Sequence, residues 1–234
     1  MKDAGPALIR PTQPDDFPAI VALCQATYPG TPPWTVAQLT SHLQVFPEGQ
    51  LVALAPDDLS IIGMAASLIV LWDDYSFTTN WRELTAGGTF ANHDPARGRT
   101  LYGAEIMVHP DWQGRGVGKL LYVAREALTR RLGLLRIRAG SRLRGYREYS
   151  KTLSVEEYVI RVAREELTDP TLTFQLRRGF RVLAVARGYL AHDPESLGHA
   201  AVIEWLNPDI ARPEDYAASD SRFQPRAGGA TTAE

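Results

Sequence analysis

The chain has a single cysteine, Cys24, in 234 residues, which excludes an internal disulfide framework and a cysteine-based zinc site. An excess of one charge is also lacking: 25 Lys and Arg stand against 27 Asp and Glu, a formal net charge of −2. A dedicated nucleic-acid binder would carry a basic footprint, so no nucleic-acid partner is expected. Long apolar runs are missing too. The longest, Ala65 to Trp72 with Ser67 inside it, is far short of the roughly 20 residues a membrane span needs. The start, Met1-Lys2-Asp3-Ala4-Gly5-Pro6, lacks the apolar stretch of a secretory signal. The histidines, His42, His93, His109, His192 and His199, are scattered without ligand spacing, so no metal site is expected. What remains is 44% hydrophobic and 22% charged, the composition of a packed cytoplasmic protein.

The length suits one domain over residues 1–208, with 209–234 turning to Ala, Ser, Asp, Gly and Thr and reading as a flexible tail. Ala7–Arg10 reads as a first strand. Asp16 caps a helix with Pro18 in its first turn, and Thr35 with Gln38 forms a capping box for a second. Leu51–Ala55 and Ile61–Trp72 are strands joined by a Pro56-Asp57-Asp58 turn. Leu101–Val108 is a strand, Val117–Leu132 an amphipathic helix, and Leu134–Ala139 a strand with Arg136 and Arg138 on one face. A helix capped by Ser154 with Glu157, another over Pro170–Arg178, and strands Phe180–Ala186 and Ala200–Trp205 complete the order. Hairpin and crossover connections together imply an α/β (α+β) fold: a mixed central sheet with helices on both faces. Two long irregular segments, Asp73–Thr100 and Gly140–Asp169, interrupt it, and loops of that length are commonly functional.

Chemistry concentrates in Val108-His109-Pro110-Asp111-Trp112-Gln113-Gly114-Arg115-Gly116-Val117-Gly118-Lys119. A strand ends, glycines permit positive φ, and a helix begins with its free N–H groups facing outward. Such a turn suits a phosphate. Two other phosphate loops fail on spacing. A P-loop needs glycine where Gln113 stands and Ser or Thr where Leu120 stands. The dinucleotide fingerprint needs glycine where Lys119 stands.

Gln113-Gly114-Arg115-Gly116-Val117-Gly118 resembles the acyl-CoA signature Gln/Arg-x-x-Gly-x-Gly/Ala of the GNAT superfamily of N-acetyltransferases. The preceding Val-x-Pro, the following Lys-Leu-Leu, and Leu-Arg-Arg-Gly-Phe ending at Phe180 extend the resemblance over roughly residues 7–206. It looks closest to the GNAT modules that some proteins fuse to a carbon–nitrogen hydrolase domain. The resemblance implies a GNAT fold and transfer of an acetyl group from acetyl-CoA to a primary amine of a small molecule or peptide. It implies that the amides of Gln113, Gly114, Arg115, Gly116, Val117, Gly118 and Lys119 hold the CoA pyrophosphate. Main-chain groups at Ile106 and Val108, with Met107 between them, would pair with the pantetheine arm. Two departures stand out. The family's usual Asn before the penultimate helix corresponds to Thr168 or Asp169, and its frequent Tyr acid to Gln175.

A primary amine near pKa 10 must lose a proton before it attacks a thioester, so a base is needed. The family often places a Glu on the strand before the loop, and Glu105 is the acidic residue there. Glu105 and Met107 point opposite to Ala104, Ile106 and Val108 unless a bulge intervenes. Glu105 is therefore a candidate base, with a structural pairing to Arg136 or Arg138 as the alternative. Tyr146, Tyr149 and Tyr158 are candidate acids or packing residues. Asp73 and Asp74 could attract a cationic acceptor or form a solvated turn. Arg136, Arg138, Arg142, Arg144 and Arg147 read as a solvated face, a clamp on CoA phosphates, or a site for an acidic acceptor. Trp72, Tyr75, Phe77, Trp81 and Phe90 could cap a pocket or pin a loop. The rival function is a non-catalytic acyl-CoA sensor or regulatory module. A homodimer is possible through an exposed edge strand.

Overall fold

The computed structural model describes residues 6–191, 193–216 and 221–223. The chain divides into two compact units, residues 1–74 with 82–137, and residues 75–81 with 138–234.

The first unit begins with β1 (Leu8–Pro11), α1 (Phe17–Thr27), α2 (Val36–Val45), β2 (Gln50–Leu54) and β3 (Ile61–Val70). After the short α3 (Trp81–Leu84, from Arg82 onward) come β4 (Thr100–Val108) and α4 (Val117–Arg131). Strands β1 to β4 form an antiparallel meander in chain order, with Leu8 opposite Leu54, Gln50 opposite Ala66, and Gly63 opposite Val108. One face carries Ala53, Ile62 and Ala65 against Val117 and Leu121 of α4, with Ile106 and Val108 alongside. Burying a side chain such as Leu121 stabilises the fold by about 2 kcal/mol. A Cβ on Gly63 would meet Val117 and Leu121 at 3.2 and 3.3 Å, so glycine here lets α4 approach the sheet.

Local sequence sets the helix starts. Thr35 Oγ1 accepts from the Gln38 N–H, and Gln38 Oε1 accepts from the Thr35 N–H, which completes the expected capping box. Asp16 does occupy the cap position of α1, but its side chain does not cap. Instead it receives Arg10 at 2.6 and 2.7 Å and the Gln13 N–H at 2.7 Å. The Arg10 guanidinium, against the opposing effect of burial, holds that carboxyl below the usual range.

Much of the segment after Asp73 is packed structure. Gln38, Ser41 and His42 of α2 donate to the carbonyls of Gly87, Thr89 and Gly88, and Phe90 is buried with its ring stacked on His42 at 3.7 Å. Burial pushes His42 down to about pKa 4.

The second unit holds β5 (Arg136–Arg142, from Arg138 onward), α5 (Tyr146–Tyr149), α6 (Val155–Ala163), α7 (Leu172–Leu176), β6 (Arg181–Ala186), β7 (Ala200–Leu206) and α8 (Pro213–Tyr216). Its strands run in the order β5-β7-β6, with β6 and β7 antiparallel. The expected strand Leu134–Ala139 is displaced: it starts at Arg136 and continues through Gly140 and Ser141, so the second irregular segment opens as regular structure. Ser154 Oγ accepts from the Glu157 N–H at 3.2 Å, and α6 buries Val155, Tyr158, Val159 and Val162. Within the segment read as a tail, α8 is helical, Arg181 donates to the carbonyls of Asp215 and Tyr216, and Phe223 is buried. Residues 217–220 and 224–234 lie outside the described residues, as does His192.

Candidate active site

Strand β4 does not run regularly into the glycine turn. Gly103 lies opposite Ser67 and Glu105 opposite Ala66, so Ala104 is an extra residue, a bulge. The bulge resolves the question of face. Leu101 and Gly103 share their side with Ser67, and a regular strand would place Glu105 there too. With the extra residue, Glu105 turns to the opposite side, shared with Ala66, Met64 and Met107, while Ile106 and Val108 remain against α4.

On that opposite side Tyr28, just past α1, donates its hydroxyl to Glu105 Oε1 at 3.2 Å. The same oxygen accepts from the Ile106 N–H at 3.0 Å. Cys24 of α1 is close enough to respond to the carboxylate. Burial pushes its thiol up, the Trp34 backbone N–H opposes, and the charge of Glu105 adds to the rise.

Beyond Val108 the chain makes a short turn at Pro110–Trp112 and enters the glycine loop. Gly114 and Gly116 have φ of +74° and +84°, a region costly for any residue with a Cβ. Gly116 caps α4 with no side chain to offer, and its carbonyl takes the first helical bond, from Leu120 at 3.1 Å. Among the described residues, no group in the chain accepts from the N–H groups of Gly114, Arg115, Gly116, Val117, Gly118 or Lys119. These amides sit at an exposed helix N-terminus, where the dipole is positive and an anion is stabilised. Gln113 differs from the expectation for it. Its N–H is taken by the Pro110 carbonyl at 3.2 Å, and its side chain braces the turn by donating to the Val108 carbonyl at 3.2 Å. The Arg115 guanidinium lies 5.0 Å over the Trp112 ring.

The family model described as the Acetyltransferase (GNAT) family matches residues 17–151. The chain belongs to the GNAT acetyltransferase family. It is 38% identical over 202 residues to "Probable hydrolase YhcX" of Bacillus subtilis, covering 86% of this chain and 39% of that protein. The chain thus spans about two fifths of YhcX, in keeping with the resemblance to hydrolase-fused modules. It is 35% identical to "Uncharacterized N-acetyltransferase YkwB" of Bacillus subtilis, covering 82% of this chain and 85% of YkwB. Among solved structures, the GphF GNAT-like decarboxylase in complex with isobutyryl-CoA matches with a TM-score of 0.70 at 24% identity. That match covers 86% of this chain and 99% of GphF, and so establishes the α/β GNAT fold.

Other sequence-derived candidates have other surroundings. Asp73 and Asp74 lie in the first unit on a short exposed turn, where Asp74 receives Arg97 at 3.2 Å. Tyr146, Tyr149 and Tyr158 belong to the second unit and form an aromatic cluster, with ring centroids 5.4 and 5.5 Å apart. Tyr146 donates to the Leu153 carbonyl at 3.3 Å, and Tyr158 to Asp169 at 2.9 Å. Asp169, one of the two residues that the resemblance sets against the family's Asn, also receives the N–H groups of Gly145, Thr171 and Leu172, each at 2.9 Å.

The basic run divides: Arg144 and Arg147 are exposed, as a solvated face would be, whereas Arg138 and Arg142 are paired within the second unit. Arg142 makes a two-pronged contact with Asp193, at 2.6 Å on each oxygen, and reaches Glu195 at 2.7 Å. Burial would raise the Asp193 carboxyl, but Arg142 and Ser196 outweigh it and hold it low. Arg138 is buried on Glu204 at 2.7 Å, and Glu204 also receives Arg181 at 2.6 Å. Among the described residues no cluster of His, Cys, Asp and Glu could hold a metal ion, and no helix is long and apolar enough to cross a membrane.

Sequence reasoning missed two residues here, Tyr28 and Arg125. Arg125 of α4 is 1% exposed and donates to Ser67 Oγ at 3.0 Å, the Ala66 carbonyl at 3.1 Å and the Glu105 carbonyl at 2.6 Å. Its signal was legible: it stands on the buried face of α4, with Leu121, Tyr122, Leu128 and Thr129. Tyr28, before Pro29-Gly30, carried no signal apart from ending the helix.

Proposed function

We propose that this protein is an acyltransferase that moves an acetyl group from acetyl-CoA to a primary amine of a small molecule or peptide, in a ternary complex. The observation that carries the reading is the run of six amides at Gly114–Lys119, which no group among the described residues accepts from, next to a strand that presents Glu105. These amides match a diphosphate in charge and in donor geometry, and GphF, of the same fold, is in complex with isobutyryl-CoA. The amine nitrogen attacks the thioester carbonyl, a C–N bond forms and the C–S bond breaks. Glu105 takes the amine proton, and water returns a proton to the departing thiolate. Holding amine and thioester in near-attack geometry supplies much of the rate.

Calorimetry with acetyl-CoA, followed by a thiol-release assay over a panel of amines, tests the reading. Binding together with thiol release is expected, and Glu105→Gln is expected to lower turnover by about 10²- to 10⁴-fold. A second reading, a non-catalytic acyl-CoA sensor, is supported by the buried Gln175 where the family often has Tyr. Binding without thiol release across the panel selects it.

A further inference from the structure

A bulge leaves backbone carbonyls without ladder partners, and a buried carbonyl must find a donor elsewhere. At the β4 bulge that donor is Arg125. Its guanidinium takes the carbonyls of Ala66 and Glu105, the facing pair at which the register shifts, and the hydroxyl of Ser67, the residue on the other side of the shift. Among the described residues no carboxylate lies within ion-pair distance of Arg125; the Tyr122 ring lies 5.7 Å from its Cζ. A buried guanidinium without a carboxylate partner is costly, because burial disfavours its charge. A single helix-to-sheet packing contact would be met more cheaply by leucine or methionine. What arginine adds is a planar fork that can satisfy several acceptors at once.

We infer that Arg125 is a positioning residue: it pins the extra residue at Ala104 and thereby fixes which face of the sheet Glu105 presents. If the bulge slipped past Glu105, that side chain would turn toward α4 and lose the Tyr28 hydroxyl. Two anchors then hold Glu105 from opposite sides, Arg125 on its carbonyl and Tyr28 on its carboxylate. The inference rests on the proposed base role only for its catalytic consequence; the claim about the bulge stands without it.

A crystal structure of Arg125→Met, with kinetics on the same protein, tests it. The bulge is expected to move or vanish and the Tyr28–Glu105 contact to break. Turnover with any amine active in the panel should fall about 100-fold, the scale of a misplacement near 1 Å, with the KM for acetyl-CoA unchanged. A folded Arg125→Met protein with the bulge and the Tyr28 contact intact overturns the inference. If the bulge moves while Glu105→Gln keeps wild-type turnover, the base role falls and the positioning of the strand survives. Should Arg125→Met not fold, Ser67→Ala removes the Nε acceptor alone. The Ile106 amide is then expected to exchange its hydrogen several-fold faster while the amides of α4 are unchanged, and unchanged exchange at Ile106 counts against the inference.

Discussion

Six successive N–H groups from Gly114 to Lys119 have no acceptor among the described residues, whereas the buried Asp169 carboxylate alone takes four donors. The two regions belong to different units and meet the demand for hydrogen bonds in opposite ways. The turn after β4 leaves its donors to solvent or to a ligand, which an exposed helix end tolerates at little cost. The 140–169 segment spends donors inside the fold, on Asp169, Ser154 and the Leu153 carbonyl, and buries Tyr146 and Tyr158, and so behaves as a folded element of the second unit. Length and irregular sequence therefore do not by themselves mean an unpacked loop.

The largest effect is expected where the Asp169 network is broken. Asp169→Ala orphans the N–H groups of Gly145, Thr171 and Leu172 and the Tyr158 hydroxyl, and should lower stability by about 4 kcal/mol in urea denaturation. The acetyl-CoA affinity of the remaining folded protein should not change. An equal loss of affinity would erase the division between the two regions.

Next comes a pH effect from the packed part of the first irregular segment. His42 has a folded pKa of about 4, below the ordinary 6.5. Between those values the unfolded chain binds a proton that the fold refuses, so stability falls as pH drops from 6.5 toward 4. The contribution reaches about 3 kcal/mol. The difference between wild type and His42→Gln, measured by denaturant titration over that range, should show this slope; parallel curves would place His42 outside the packed structure.

The open turn should respond in binding instead. Gly116→Val forces a β-branched residue to a φ near +84°, and about 2 kcal/mol of strain should weaken binding of the proposed cosubstrate, acetyl-CoA, about 30-fold by calorimetry. A matching fall in stability with unchanged affinity would show that the turn serves the fold alone. The smallest effect belongs to Asp16. Its carboxyl is held low by Arg10, so the pair stabilises the fold above the ordinary Asp pKa, and this is lost as pH falls through the folded value. Asp16→Asn should cost about 1 kcal/mol at neutral pH, and the gap to wild type should close in acid; a gap independent of pH would mean that packing is responsible.

The sequence by itself determined what is decided within a few residues. The capping box at Thr35, the side-chain cap at Ser154 (where Glu157 turns to Arg161 and does not close the expected box), the helix start at Val117 and the glycine pattern of the turn follow from backbone sterics and hydrogen bonds that reach about four positions along the chain. That pattern also carried the family. The tertiary structure alone decided the face of Glu105 and the fate of the basic run. The bulge that turns Glu105 is held by Arg125 through Ser67, 58 positions away, and Arg142 finds Asp193 across 51. No periodicity encodes such partners, because an extra strand residue inverts the parity of every later position in the strand, and a charge is paired or solvated only by the groups that folding brings beside it.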